Sequence, residues 1–189
     1  MMPSNALNTL IKFVNNRIIE LLGILLIVCS IYLLLAIITY SPNDPTFIYS
    51  PENKIIHNLL GLKGSIISDF LLQSIGLLSF LFIINFLVWG IKLTSKKMIK
   101  NFLSKIFFLV IYILSGTTLI YLFNNNSFWL IDNGNSGFVG RIIVETFNNI
   151  LVIHNNIYIS ILLLVFTLMF FFLSIDLKFK ELSLVIKVP

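Results

Sequence analysis

The chain has 189 residues, of which 58% are hydrophobic and only 11% are charged. Soluble domains carry about 25% charged residues, so this composition is typical of an integral membrane protein, and it is too apolar for a disordered chain. The single cysteine excludes a disulfide framework and a cysteine-rich metal site. The net charge of +5 would suggest nucleic acid only if the basic residues formed a dense stripe on a soluble element. Here they flank apolar runs, so we expect no direct contact with nucleic acid.

Four uncharged runs delimit the predicted membrane spans, because a bilayer core of about 30 Å needs about 20 helical residues. The spans are predicted at about 18–40, 70–91, 102–123 and 157–175, all within a four-helix membrane domain over 18–175. Residues 1–17 and the tail 176–189 flank this domain. The first run is longer than the roughly 7–15 apolar residues of a cleaved signal, and no small-residue cleavage pattern follows it, so we interpret it as an uncleaved anchor.

The basic residues predict the orientation, since Lys and Arg concentrate on the cytoplasmic side of a membrane. With four spans, ten of the 13 basic residues fall on one side. These ten are Lys12, Arg17, Lys92, Lys96, Lys97, Lys100, Lys105, Lys178, Lys180 and Lys187. The other side has only Lys54, Lys63 and Arg141. We therefore predict an all-α integral membrane protein with four transmembrane helices, cytoplasmic N- and C-termini and two structured outer loops.

The first outer connection, residues 41–69, begins with two prolines around an Asn-Asp pair. Pro42 and Pro45 stop the preceding helix and favour a turn that contains Asp44. Further along, Gly61 and Gly64 permit positive φ or a close backbone approach. These residues are compatible with an ordered hairpin on the bilayer surface and with a flexible loop that has ordinary turn residues. The composition of the connection does not distinguish between the two.

The second outer connection, residues 124–156, contains a glycine-rich stretch and then an amphipathic pattern. Gly134, Gly137 and Gly140 lie in the glycine-rich part. Over 141–153 the apolar residues recur at helical spacing while Arg141 and Glu145 face elsewhere, which predicts a short helix at the membrane interface. The alternative is a partly buried turn of the fourth span.

These loop residues together resemble the first and second outer loops of the FtsK/SpoIIIE family of bacterial DNA translocases. The first-loop resemblance rests on Pro42, Asp44, Pro45, Asn58, Gly61, Gly64, Asp69 and Gly76, and the second on Gly134, Gly137 and Gly140. It extends over essentially the whole chain, with the same number and orientation of helices. Residues 154–156 depart from the family, which often has small residues or glycine before its fourth helix.

The resemblance implies a membrane anchor in the bacterial inner membrane, multi-pass and septal. In that family the membrane domain holds a cytoplasmic ring motor at the division septum, and a linker leads to an ATPase and a winged helix. We expect none of those later parts within these 189 residues. The implied partners are membrane lipid, division proteins and further copies of the chain in a homo-oligomer.

The sequence offers no pattern for catalysis, a cofactor or a metal. A P-loop requires Gly-Lys-Ser/Thr, but Gly64 is followed by Ser65 and Gly140 by Arg141. The two histidines, His57 and His154, lie on different loops, so we expect no metal site. Within the spans, Asn85 is a candidate for a hydrogen bond between helices, or a minor contributor, and Gly116 for close helix packing. The runner-up function, a small four-span transporter or channel subunit, would need a polar or charged midplane pathway that the spans lack.

Overall fold

The computed structural model describes residues 4–47, 49, 55–95, 99–130, 132–148 and 157–177. In that part of the chain the regular structure consists of six helices and no strand, so the predicted all-α class is confirmed. The helices are α1 (Ser4–Ile38), α2 (Gly61–Ile75), α3 (Leu78–Thr94), α4 (Phe102–Asn124), α5 (Gly137–Asn148) and α6 (Ile157–Ser174). Three of them, α1, α4 and α6, are long and apolar enough to cross a bilayer. The pair α2 and α3 supplies a fourth candidate that is bent by 111°.

This bend is the main difference from the predicted spans. The stretch 70–91 was expected to form one helix, but α2 ends at Ile75 and α3 begins at Leu78. Gly76, between them, has φ +57° and ψ −139°, a conformation that glycine adopts without the steric penalty of a Cβ atom. Residues 70–75 therefore belong to α2, and α3 alone continues through the bundle.

The first helix also differs, because α1 begins at Ser4 whereas the span was predicted from residue 18. Its 35 residues would extend about 52 Å at 1.5 Å per residue, well beyond the roughly 30 Å of a bilayer core. Helices α4 and α6 differ from the predicted spans 102–123 and 157–175 by one residue at their C-terminal ends.

The helices pack as two pairs, α1 against α3 and α4 against α6. One buried apolar cluster joins α3, α4 and the end of α6, and its members are Leu78, Trp89, Leu109, Tyr112, Phe171 and Ile175. A second cluster joins α1, α2, α3 and the second connection through Ile37, Leu72, Ile83 and Leu130. The core therefore extends from the interior of the bundle to the end at which the long connections lie.

Two ends of the bundle can be distinguished. We call one end the cap, which comprises α2, α5 and the described residues of the connections, 39–47, 49, 55–60, 125–130 and 132–136. We call the opposite end the lysine end, where Lys92, Lys105 and Asp176 meet. The helix predicted over 141–153 corresponds to α5, which begins earlier, at Gly137, and packs on α4 and α2. Residues 149–156, which include the predicted departure at 154–156, lie outside the described residues.

Candidate functional site

The first connection is organised around the buried carboxylate of Asp44, whose side chain is 0% exposed. The backbone N–H of His57 donates to Oδ1 at 2.9 Å, and that of Asn58 donates to Oδ2 at 2.8 Å. The His57 ring Nδ1 is also 2.9 Å from Oδ1. Burial by itself would raise the pKa of Asp44, but the hydrogen bonds from His57 and Asn58 outweigh it and lower the pKa below its ordinary value. The carboxylate thus joins the beginning of the connection to its end.

Asn58 joins the same connection to α1 and to α2. Its Nδ2 donates to the backbone oxygen of Ala36 in α1 at 2.8 Å, and its Oδ1 accepts from the N–H of Leu60 at 3.0 Å. A Cβ atom on Gly64 would lie 2.2 Å from this Oδ1, so only glycine lets α2 approach the amide. Gly61, which begins α2 with a φ of +66°, has open space around it. Because two partners hold the Asn58 amide, this part of the connection is ordered.

The prolines of the first connection have a defined place next to Asp44. The N–H of Asp44 donates to the backbone oxygen of Ser41 at 3.2 Å and closes a turn around Pro42. The backbone oxygen of Pro45 accepts from the hydroxyl of Ser65 in α2 at 2.7 Å. The turn at Ser41–Asp44 and the contact of Pro45 with α2 therefore follow one another directly, and together they hold the beginning of the first connection against α2.

Gly76 and Gly137 bring the second connection against the α2–α3 corner. The N–H of Leu77 donates to the backbone oxygen of Asn135 at 2.9 Å. A Cβ atom on Gly76 would lie only 2.0 Å from that oxygen, and one on Gly137, at φ +68°, would lie 2.5 Å from the backbone N of Gly76. Any larger residue at these two positions would push the connections apart.

The other two glycines of the second connection also lie at close backbone contacts. Gly134 has a φ of +73°, and a Cβ atom there would be 2.1 Å from the backbone oxygen of Asn125. A Cβ atom on Gly140 would be 2.5 Å from the backbone oxygen of Thr117, which packs α5 directly on α4. The glycine-rich stretch is thus an ordered part of the cap.

A cleft of about 690 Å³ opens between the two connections. Asp69 lies on one side, where its Oδ1 accepts from the hydroxyl of Tyr40 at 3.2 Å. Asn133 lies on the other side and donates to Oε1 of Gln73 at 3.0 Å. The full lining comprises Tyr40, Pro42, Asn43, Thr46, Phe47, Tyr49, Asp69, Phe70, Gln73, Ser74, Trp129, Asp132, Asn133 and Phe138. The cap therefore presents a concave surface built from both predicted outer loops.

The two helix-packing candidates lie at contacts with α6. Asn85, 0% exposed, lies against Ser174, and the Ser174 Oγ is 3.0 Å from both Nδ2 and Oδ1 of the amide. A Cβ atom on Gly116 would lie 2.8 Å from Leu78 Cδ1 and 2.9 Å from Thr167 Cγ2. Gly116 therefore stands where α4 meets both α3 and α6.

The lysine end fixes the last turn of α6. Lys105 Nζ donates to the backbone oxygen of Leu173 at 2.9 Å and to Asp176 Oδ1 at 2.7 Å. Lys92 Nζ donates to the backbone oxygen of Ile175 at 2.7 Å, and the Trp89 ring N–H donates to that of Ser174 at 2.9 Å. The last carbonyl groups of a helix have no hydrogen-bond partner within that helix. Here the side chains of Trp89, Lys92 and Lys105 donate hydrogen bonds to them.

Sequence reasoning missed Gly23 and Gly90, where α1 and α3 lie in close backbone contact. A Cβ atom on Gly23 would lie 2.8 Å from the backbone oxygen of Gly90, and one on Gly90 would lie 2.8 Å from that of Gly23. The available signal was a glycine in each of two predominantly apolar spans.

The structure offers no built metal centre in its described part, where no group of three or more His, Cys, Asp or Glu side chains could hold an ion. His57 lies on Asp44, while His154 falls in the stretch that is not described. The described lining of the cap cleft presents hydrogen-bonding groups, carboxylates and aromatic rings.

Comparison with known proteins gives a consistent result for this chain. A family model described as the 4TM region of DNA translocase FtsK/SpoIIIE matches residues 15–183. The chain is 27% identical over 175 residues to the DNA translocase FtsK of Rickettsia bellii, a match that covers 91% of this chain and 21% of the relative. The FtsK of Rickettsia prowazekii is 27% identical over 173 residues, with 91% of this chain and 22% of the relative covered.

A third relative, the FtsK of Azospirillum brasilense, is 32% identical over 90 residues, which are 47% of this chain and 14% of the relative. No solved structure matches the chain. The chain spans about a fifth of the length of the two Rickettsia relatives, and the matched part is the membrane region without the ATPase. With the family model covering most of its length, the chain belongs to the family of the 4TM region of DNA translocase FtsK/SpoIIIE.

Proposed function

We propose that this chain is the membrane anchor and assembly domain of an FtsK-type translocase. It tethers a cytoplasmic motor at the division septum for cell division and chromosome segregation, and it performs no catalysis itself. Its family membership and its apolar helices support this proposal. Within it, the chain contacts membrane lipid, associates with further copies and with division proteins, and leaves DNA to the motor.

The proposed topology has α1, α3, α4 and α6 crossing the bacterial inner membrane, with both termini in the cytoplasm. The ten basic residues of the N-terminus, the 92–105 region and the tail then lie inside. The cap lies outside, and the lysine end lies at the inner boundary. Exposed apolar side chains such as Leu21, Val28 and Leu162, each more than half exposed, face lipid in this arrangement.

The observation that carries the proposal is that the interior of the bundle contains uncharged polar groups, among them two pairs that bond between helices. Asn85 bonds to Ser174, and Thr167 on α6 donates to Ser115 on α4 at 3.0 Å. The segments 21–38, 78–91, 106–124 and 157–174 contain no Asp, Glu, Lys, Arg or His. A transport pathway would require ionisable or hydrated groups at that depth, so this interior favours a scaffold over the alternative of a small transporter or channel subunit.

The localisation of a fluorescent fusion in dividing bacteria tests the septal role. We expect a band of fluorescence at the septum that is clearly stronger than the signal on the lateral membrane. A matched fusion carries Gly76→Val, which keeps every charge but collides with Asn135 at the cap. Comparing it with the parent fusion shows whether the septal band depends on the cap. Fluorescence distributed evenly around the cell for the parent fusion would overturn the septal proposal.

Cysteine labelling in spheroplasts tests the topology independently. After Cys29→Ser, single cysteines are placed at Phe128 in the cap and at Ser95 beyond α3, both of which are exposed. An impermeant maleimide should label Phe128→Cys in intact spheroplasts and Ser95→Cys only after lysis. The reverse pattern would overturn the orientation, and labelling of both before lysis would show that α4 does not cross the membrane.

A further inference from the structure

The cleft in the cap has the dimensions of a binding site. Its volume of about 690 Å³ lies within the roughly 300–1,000 Å³ of typical ligand pockets. Its walls come from two connections that are far apart in the sequence, with Asp69 and Phe70 on α2 and Asp132 and Asn133 on the second connection. The hydrogen bond between Gln73 and Asn133 ties these walls together, so the cleft is preformed.

The charged groups that line this cleft are all carboxylates. Asp69 and Asp132 belong to the lining, and no Lys, Arg or His is among the described lining residues. Asp69 accepts a hydrogen bond from the neutral hydroxyl of Tyr40, and no cationic side chain of the described lining offsets its charge. Burial raises the pKa of the Asp69 carboxyl above its ordinary value. Arg141, on the neighbouring helix, donates to the backbone oxygen of Asp132 and pairs through Nε with Glu145 at 2.9 Å. The cleft therefore has a negative potential.

Aromatic side chains surround these carboxylates. Phe47, Phe70 and Phe138 are 79%, 62% and 53% exposed, although buried packing positions are the usual place for phenylalanine. Trp129 packs beside Tyr40 with ring centroids 6.1 Å apart. Aromatic faces attract cations, and the attraction adds to that of a nearby carboxylate.

We propose that this cleft binds a basic peptide segment, with a Lys or Arg side chain near Asp69 and Asp132 and an adjacent apolar side chain on the phenylalanines. The peptide belongs to a partner on the extracytoplasmic side, so the inference rests on the topology and assembly role proposed above. Charge complementarity selects this occupant, because an acidic segment would meet two like charges at short range.

Peptide binding to the full chain in phosphatidylcholine nanodiscs tests the inference. The probe is a fluorescently labelled five-residue peptide with two lysines between apolar residues, and the matched probe has glutamate in place of both lysines. We expect saturable binding of the lysine peptide alone, measured by fluorescence anisotropy. Raising the salt from about 50 mM to about 500 mM should weaken it, since charge pairs in water are screened.

Charge-neutral variants locate the binding in the cleft. Asp69→Asn together with Asp132→Asn should raise the Kd of the lysine peptide by about tenfold or more. Glu20→Gln, which removes one carboxylate from α1 outside the cleft lining, should leave the Kd unchanged. If the double variant does not fold, Asp132→Asn alone must raise the Kd, because that exposed residue can be replaced without disturbing the core.

Three results would overturn the inference: equal binding of the two peptides, equal binding by the double variant, or equal binding by empty nanodiscs. In the last case the lipid surface, and not the cleft, attracts the lysine peptide. Failure here combined with a septal band for the parent fusion would overturn the cleft assignment alone. Failure of the septal band or of the topology would instead overturn the proposed function.

Discussion

The hydroxyl oxygen of Ser174 lies 3.0 Å from both polar atoms of the Asn85 side chain. The two residues are 89 positions apart in the sequence, and both are 0% exposed. A buried amide in a membrane helix costs free energy unless it is paired, so this contact both satisfies Asn85 and fixes how α3 and α6 face each other.

The Asn85–Ser174 contact should be measurable as a coupling between the two residues. A double-mutant cycle with Asn85→Ala and Ser174→Ala should give a coupling of about 0.6 kcal/mol, and at most about 1.7 kcal/mol, as for other polar pairs in membrane proteins. The measurement is the free energy of unfolding in mixed micelles. The control cycle pairs Asn85→Ala with Ser30→Ala, whose hydroxyl bonds to Leu26 in its own helix. A coupling near zero for the first cycle would contradict the prediction.

Gly76→Ala should destabilise the cap more than Gly61→Ala does. Both glycines have positive φ, but a Cβ atom on Gly76 would lie 2.0 Å from Asn135 oxygen, while Gly61 has open space. The positive φ costs each alanine about 1–3 kcal/mol, and only Gly76→Ala adds a collision with the backbone. Thermal unfolding in detergent should therefore give a clearly larger fall in Tm for Gly76→Ala. Equal falls would mean that the second connection does not press against the corner.

The carboxylate of Asp44 should make the stability of the cap depend on pH. The pKa of this carboxyl in the folded protein lies below its ordinary value of 3.8, so its ionised form favours folding. That contribution is fully present above the ordinary pKa and is lost as the pH falls through the lowered pKa. The difference in Tm between the parent and Asp44→Asn should therefore be present at pH 5 and should shrink below about pH 3.8.

The control for this pH experiment is Glu145→Gln, which replaces a carboxylate in an exposed ion pair with Arg141. Such pairs contribute little to stability, so the Tm of this variant should follow that of the parent throughout. A parent–Asp44→Asn difference that stays constant down to pH 2 would contradict the assignment of the effect to ionised Asp44.

Lys105→Met should destabilise the lysine end. The ammonium group contacts both the backbone oxygen of Leu173 and the carboxylate of Asp176. Loss of hydrogen bonds to a charged, largely buried group costs about 1–3 kcal/mol. The added variant Asp176→Asn should recover part of this loss by removing the carboxylate. The control is Lys12→Met on the exposed part of α1, which should leave the unfolding free energy unchanged. Identical unfolding of Lys105→Met and the parent would show that the contact contributes no stability.

The positions of α4 and α6 could be predicted from the sequence because charge and hydropathy determine them. Uncharged runs of about 20 residues are dictated by the bilayer, and α4 and α6 follow those runs. The break at Gly76 was not predicted because residues on both sides of it are apolar, so the uncharged run continues through the corner. Only the conformational freedom of that glycine and the polar residues Gln73 and Ser74 before it hinted at a turn.

For the cap, the sequence indicated which residues matter but not how they contact one another. Asp44, Asn58 and the glycines stand out in the sequence because their types suit turns. The partners of these residues cannot be recognised in the sequence. Asp44 and Asn58 are 14 positions apart, and no periodic pattern indicates that they are in contact. The cleft also required the structure, because its walls combine two connections that only the folded chain brings together.

The bent corner has a mechanical consequence for the whole bundle. The α1–α3 and α4–α6 pairs are fastened at the cap by the hydrogen bond from Leu77 to Asn135, and at the opposite end by Trp89 and Lys92 against the close of α6. The two helix pairs are therefore linked at both ends of the bundle. A force applied to one pair is transmitted to the other through these hydrogen bonds.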